Sequence, residues 1–285
     1  MKRLWIFTIR SIPLFAVCGI WLLSQHQCIA AGELTKTGAR QAGMAGASVM
    51  LKDYWGINNN PAVIAYLQGA QYGIFHENRY LMKELNFQHL GTVQATKLGT
   101  FGGDLSYFGF HLYNEKKIGL AYALKLHKSV SAAIKLNYFQ IKIANDYGHK
   151  GNVYGEIGIY ANPFSNFQIG IHLINPNNQK ITKSPDEDIP SVFRMGIAYI
   201  MGANLLMAVE IEKSSYLPLS YSTGFEYILV RDFHLRFGIG TKPNLYAFGL
   251  GCTTNRITID LAFSHHQLLG YSPHISITYC INRTI

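Results

Sequence analysis

From about Ala70 onward the chain alternates apolar and polar residues with a period of two, which puts successive side chains on opposite faces of an extended strand. The clearest stretch is Arg256 to Ser264: Ile257, Ile259, Leu261 and Phe263 share one face, and Arg256, Thr258, Asp260, Ala262 and Ser264 share the other. The same rhythm runs through Phe167 to Leu173, Phe233 to Ile239 and Ile275 to Ile281. Turn residues cut the region into segments that predict about fourteen strands, near 70–80, 85–95, 103–113, 117–126, 130–144, 153–162, 167–175, 191–201, 205–213, 219–229, 233–240, 246–252, 256–264 and 273–282. An even count of strands, most near the roughly 9 to 11 residues of a tilted spanning strand, describes an all-β transmembrane antiparallel barrel.

The connections carry a second signal. Short turns follow even-numbered strands, as at His127 to Ser129, Gly202 to Asn204 and Thr253 to Asn255. Longer loops follow odd-numbered ones, as at Asn145 to Asn152, Pro176 to Pro190 and His265 to Ser272. In outer-membrane barrels the short turns are periplasmic, so the N-terminal segment is expected on that side. The connections after the first three expected strands break this parity. A soluble sandwich would also alternate. Against it, Gly119, Gly158, Gly170, Gly196, Gly224, Gly238, Gly249 and Gly251 all fall opposite the apolar face, where a water-facing surface would carry charge. Closure also removes the exposed strand edges. Tyr107, Phe108, Phe110, Tyr122 and Tyr160 are expected on the barrel wall or in its interfacial girdle.

Composition agrees: of 285 residues, 48% are hydrophobic and only 14% charged, which excludes a disordered chain. Lys2, Arg3 and Arg10 precede an apolar run from Ile12 to Leu23 and small residues at Ala30 and Ala31, the layout of an export signal cleaved near Ala30. The run is short for a spanning helix. His26 and Gln27 stand where a lipoprotein site at Cys28 would need small residues. The expected division is therefore a signal at 1–30, an N-terminal segment at 31–69 and a barrel at 70–285. Losing the signal lowers the formal charge of +9 by three. The remaining Lys and Arg are scattered singly, which excludes a nucleic-acid partner. Only Cys252 and Cys280 remain after cleavage, with no metal-ligand spacing, so neither a disulfide framework nor a metal or other cofactor is expected.

The segment from Gly38 to Ala65 does not alternate. Its glycines and the Asn58 to Pro61 turn predict a compact irregular piece with one or two short helical turns. Its pattern of Gly38, Ala39, Arg40, Gly43, Met44, Gly46, Ala47, Asp53, Asn60, Pro61 and Ala62 resembles the N-terminal region of FadL-like outer-membrane barrels, especially their PorV/PorQ branch. The stretch His265 to Tyr279 is similar to the last hairpin of that branch. The resemblance implies a multi-pass barrel in the outer membrane of a Gram-negative bacterium, with the N-terminal segment folded into the lumen as a hatch. Gly38, Arg40, Gly43, Gly46, Asp53, Asn60 and Pro61 would form that hatch, Gly43 and Gly46 letting backbone approach the wall and Asn60 bracing the turn at Pro61. Two departures stand out. The outer loops are shorter than those with which FadL-type transporters capture ligand, and the chain ends on Ile285 rather than on an aromatic residue.

The expected inner face carries Lys117, Lys125, Lys135, Glu156, Arg194, Glu210, Glu226, Arg236 and Asp260. Mixed signs point to a bracing network rather than a selectivity ring, which would concentrate one sign. Glu210 and Glu212 share a face, but no second motif makes them a catalytic pair. Ser264, His265 and His266 crowd together without an orienting acid at a recognisable spacing, so no enzyme is expected and the histidines read as loop residues. Two roles follow from the resemblance. The first is an accessory in type IX protein secretion or surface assembly, with secretion-system or cargo proteins as partners. The alternative is a conduit for small hydrophobic molecules, which needs an apolar pocket running from the hatch to a lateral opening. Outer-membrane lipid surrounds the barrel in both.

Overall fold

The computed structural model describes residues 35–144, 148–180 and 189–281. The expected signal, residues 1–30, lies outside them. Fourteen strands close into one antiparallel barrel in simple up-and-down order. They are β1 Ala70–Asn78, β2 Asn86–Thr96, β3 Gly99–Gly109, β4 Tyr113–His127, β5 Val130–Ile143, β6 His149–Phe164, β7 Phe167–Ile174, β8 Val192–Met201, β9 Leu205–Ser214, β10 Ser220–Val230, β11 Phe233–Gly240, β12 Leu245–Thr253, β13 Ile257–His266 and β14 Gly270–Ile281. β1 closes on β14, pairing Ala70 with Ile281 through Glu77 with His274. Every strand thus has two neighbours, which is how a sheet crosses lipid without leaving backbone groups unpaired. Among the described residues no helix is long and apolar enough to span a membrane.

The alternation seen in the sequence becomes an outside and an inside. Ile257, Ile259, Leu261 and Phe263 of β13 are exposed, as are Phe237 and Ile239 of β11 and Ile118 and Leu120 of β4, while Asp260, Arg236 and Gly119 on the same strands are buried. A closed barrel with an apolar exterior is an outer-membrane architecture, and bilayer is the solvent its outer face requires.

Four expectations need correction. β3 and β4 begin earlier than the pattern suggested, at Gly99 and Tyr113. Gly102, left outside the expected strand, lies inside β3, where a Cβ on it would press on Ile57 and Ile64 of the N-terminal segment. The real turn is at 97–98, closed by Gly99 at φ 136°. With β3 moved, the connections at 79–85 and 97–98 obey the parity rule, while that at 110–112 is as short as the turns at 202–204 and 254–256. Second, the loops expected at 145–152 and 265–272 are in part strand, because β6 starts at His149 and β13 runs to His266 before β14 resumes at Gly270. His265 and His266 therefore end a strand rather than occupy a loop. Third, Tyr160 and Phe108 pack inside: Tyr160 shares the inward face of β6 with Gly158 and meets Tyr66 edge-on. Fourth, the N-terminal segment holds three helical turns, α1 Ala39–Gly43, α2 Gly56–Asn59 and a 3-10 turn Pro61–Tyr66.

That segment fills the lumen. α1 packs on β11 to β14 and the 3-10 turn on β3 to β6, so the chain touches opposite sides of the inner wall. Met44, Val49, Met50, Trp55, Ile57 and Ile64 are all within 2% of complete burial.

The outward apolar band makes a direct prediction. Ile259→Arg places a charge on the bilayer side of β13 and should cost about 2–4 kcal/mol if the residue lies near the midplane. Reversible urea unfolding from vesicles measures this, and an unchanged midpoint would remove Ile259 from the lipid face.

Candidate functional site

The inner wall accepts the N-terminal segment because the wall is stripped of side chains where the segment runs. A Cβ added to Gly170 would collide with the Val49 carbonyl, one on Gly238 with the Met44 backbone, and one on Gly158 with the Asn60 side chain. Gly43 returns the fit from the segment's side, lying against Gly249. Gly46 has another role: at φ 80° it turns the chain while Lys36 packs over it. Gly38 precedes α1 at φ 102°, with Trp55 and Gln41 packed where its Cβ would be.

Three polar clusters tie segment to wall. In the first, Arg40 donates from Nε and Nη2 to both oxygens of Glu226 at 2.8 and 2.6 Å, and from Nη1 to Asp53 at 2.8 Å. Glu226 also accepts from Arg236 at 2.6 Å, and Arg236 donates on to Asp260 at 2.7 Å. Asp53 is thereby bound to the wall through Arg40, and its other oxygen accepts from the Trp55 N–H at 2.9 Å. In the second, Glu210 accepts from the Ser48 and Val49 N–H groups at 2.7 and 2.8 Å and from Lys36 at 2.8 Å. Lys36 also reaches Glu212, which Arg194 holds at 3.0 Å. In the third, Lys135 donates to the Ile57 carbonyl and Asn58 Oδ1, both at 3.0 Å, and pairs with Asp104 at 2.7 Å. Lys117 reaches the same Asn58 oxygen at 2.6 Å.

The remaining expected residues sit as follows. Asn60 accepts from the Ala62 N–H at 3.1 Å and donates to the carbonyls of Val49 and Ile159, so it holds Pro61 at the head of the 3-10 turn while bridging to β6. Glu156 is buried away from the segment and accepts from Asn137 and meets His172 at 2.9 Å. Lys125 is exposed at the short-turn end, over the Tyr66 ring at 4.8 Å. On the N-terminal segment, outside the spanning strands, burial pulls the Lys36 ammonium down, but Glu210 and Glu212 prevail and hold it above its usual range. Burial lifts the Asp53 carboxyl against the pull of Arg40. These are largely buried pairs with charge-assisted hydrogen bonds, so losing one partner leaves the other short of compensation.

Open space lies around the segment. A cavity of about 410 Å³ at the short-turn end is lined by Arg40, Lys52, Asp53, Arg256 and Thr278. One of about 240 Å³ at the other end is lined by Lys36, Glu77, Tyr80, Ser264 and His274. There Ser264 Oγ lies 2.9 Å from His274 Nε2, a pair that sequence spacing did not show because it crosses from β13 to β14. The largest space, about 660 Å³, belongs to the wall itself, across β14, β1, β2, β3 and β4. It is a groove on the outer face: Ile74, Leu90, Leu105, Ile118, Ile275 and Ile277 point into it with His76, Gln88, Tyr107 and Lys116, while Phe75, His89, Ser106, Lys117 and Ser276 between them turn their side chains inward. These inward residues form one row in register across the five strands. A small neighbouring cavity inside the lumen is lined by Phe87, Phe108 and Phe139. Sequence reading missed this region because its residues are dispersed over five strands and carry no motif.

Barrel, filled lumen and apolar outer groove together describe an outer-membrane β-barrel that holds its own N-terminal segment inside. Three solved structures share the fold. The CymD monoaromatic hydrocarbon channel matches 90% of this chain and all of its own at 12% identity, with a TM-score of 0.64. The Ralstonia pickettii toluene transporter TbuX matches 88% of this chain and all of its own at 10% identity, with a TM-score of 0.67. A Pseudomonas aeruginosa FadL homologue matches 88% of this chain and all of its own at 12% identity, with a TM-score of 0.60. No protein-family model matches the chain, and no curated protein does. The chain therefore has the fold of the FadL-type outer-membrane channels. Among the described residues, no three His, Cys, Asp or Glu side chains converge on a metal position.

Removing the Arg40 clamp tests the attachment. Arg40→Ala leaves Glu226 and Asp53 short of a partner and should cost about 3–5 kcal/mol, the range for breaking a buried pair. Limited proteolysis of the reconstituted barrel should then cut within residues 35–67 while the barrel still migrates faster unboiled than boiled. Unchanged protection would show that the other two clusters suffice.

Proposed function

We propose that this barrel is a non-enzymatic conduit for small hydrophobic molecules, in which residues 35–67 act as the hatch that closes the aqueous lumen and solute leaves sideways through the wall. The carrying observation is the apolar groove on the outer face of β14 and β1 to β4, lined by Ile74, Leu90, Leu105, Ile118, Ile275 and Ile277, with Phe75, Phe87 and Phe108 on the inner face of the same strands. An apolar solute gains by passing from an aromatic lumen directly into lipid, whereas a water-filled pore offers it no advantage. The strand ladders are unbroken here, so passage needs local parting of the wall. The wall is suited to that: Gly73 faces Gly91 across β1 and β2, Gly103 faces Thr92 across β2 and β3, and glycine weakens strand packing. Gly38, Arg40, Gly43, Gly46, Asp53, Asn60 and Pro61 hold the hatch in this reading, and the buried Lys135, Glu156, Arg194, Glu210, Glu226, Arg236 and Asp260 brace the lumen around it.

The type IX secretion role expected from the PorV/PorQ-like motifs draws no support from the solved structures that share the fold, whose names describe hydrocarbon channels and transporters. The wall pocket favours the conduit over it.

The test is uptake of labelled toluene by cells carrying the barrel, beside uptake of a small sugar. The conduit reading expects faster toluene entry with sugar entry unchanged, and a severalfold loss when Leu90→Trp fills the wall pocket. If toluene entry matches cells lacking the barrel, and deletion instead strips specific proteins from the cell surface, the secretion role replaces the conduit.

A further inference from the structure

The groove on the outer face of the wall has a polar edge. His76, Gln88, Tyr107 and Lys116 lie side by side on β1 to β4, paired in register, and all point outward into it. The next outward row on the same strands is Ile74, Leu90, Leu105 and Ile118. Each residue of the polar row is third or fourth from its strand's end, on the side of the barrel that carries the long connection between β7 and β8 and hence faces outward from the cell. Among the described residues, none of these four side chains has a hydrogen-bond or ion-pair partner. No Asp or Glu faces outward from any described strand, so nothing in the protein answers the exposed Lys116 ammonium. Across the barrel the outward Lys213 of β9 is engaged, donating to the Leu217 carbonyl at 2.9 Å. The outer ends of β8, β10, β12 and β14 instead carry Phe193, Tyr221, Tyr246 and Tyr271 outward, an aromatic girdle.

We propose that the groove seats a phosphate-bearing lipid of the outer leaflet, with an acyl chain along Ile74, Leu90, Leu105 and Ile118 and the phosphate against Lys116. Lys116 supplies the charge that an anionic head needs, and Tyr107, Gln88 and His76 supply donors for its remaining oxygens. Polar edge and apolar floor follow one another in the order in which a lipid of that leaflet presents head and chain. Charge complementarity selects among lipids: a zwitterionic head brings its own cation to the phosphate and gains less from Lys116. A free anion would leave the apolar row unused. The lipid occupies the groove whether or not solute crosses the wall, so the inference stands apart from the conduit reading.

The experiment is binding of lipid A to the full barrel in detergent, read by native mass spectrometry, beside lipid A stripped of its phosphates and carrying the same chains. The unaltered protein is compared with Lys116→Gln, Lys213→Gln and Leu105→Trp, each first shown to be folded by its faster migration unboiled. The expected result is lipid A held about fivefold more tightly than its dephosphorylated form, the worth of one basic side chain at an anionic surface. That preference should vanish in Lys116→Gln and persist in Lys213→Gln, while Leu105→Trp, which fills the groove, weakens both forms. Equal binding of the two forms by the unaltered protein overturns the inference, as does an equal loss in the two lysine variants, which would report net charge alone. Unchanged binding by Leu105→Trp places the chains elsewhere and also overturns it. If inorganic phosphate binds as tightly as lipid A, the site takes a free anion and the lipid seat fails. Should Lys116→Gln not fold, the dephosphorylated lipid and Leu105→Trp decide. Toluene uptake is measured separately, so the conduit and the lipid seat fail independently.

Discussion

A barrel of fourteen strands encloses more space than its own side chains fill, and everything inside this molecule depends on how that space is occupied. Here a backbone segment fills it, and backbone brings obligatory donors and acceptors with it. The wall answers with bare glycine where the segment passes closest, at Gly158, Gly170 and Gly238, and with ionised side chains where the segment presents polar groups. Glu210 is the clearest instance: one carboxylate receives two successive N–H groups of the segment and the Lys36 ammonium. Neither half of this arrangement makes sense without the other. A glycine-lined wall with no insert would leave voids, and an insert with no carboxylates would bury unsatisfied amides.

The charges on the inner face belong to that fit rather than to a conduction path. Plug cations meet wall acids at Arg40 with Glu226 and at Lys36 with Glu210, and wall cations meet plug carbonyls at Lys135 with Ile57. Such an interior has little free charge to offer a passing ion. What it leaves open lies at the two ends of the segment, while the apolar groove lies on the outer face of β14 and β1 to β4. The Arg40 and Glu210 clusters hold the plug to β8 through β13 and the Lys135 cluster holds it to β3 through β5, so both sides of the barrel brace it.

Much of the fold was legible in the sequence because period-two alternation is a local signal that needs no knowledge of partners. Eleven of the fourteen strands could be placed from it almost as β13 is, by reading which residues share a face, and the errors fell where tertiary contact overrides local rules. Gly102 fell outside the expected third strand and lies inside β3, where its missing side chain makes room for the insert. Tyr160 read as girdle and packs inward, because the parity of β6 and not its aromatic character decides its direction. Hatch residues such as Arg40 and Asp53 were visible as a pattern, but their partners 186 and 13 residues away were not. Lys116 was not singled out at all. An isolated lysine on a strand is unremarkable until the structure shows that it edges an apolar groove and lacks a partner.

The central claim is that an apolar solute crosses by way of the wall while the plug stays in place. The most direct measurement staples the plug to the wall, with cysteines at Ala45 and Gly240, where a Cβ on Gly240 would lie 3.8 Å from that of Ala45, in a chain whose Cys252 and Cys280 have been replaced by alanine, and compares toluene flux into vesicles before and after oxidation. Flux that is the same in the stapled and reduced barrels is the predicted result. Flux that disappears on oxidation and returns on reduction would show that solute passes through the space the plug occupies, and would contradict the account.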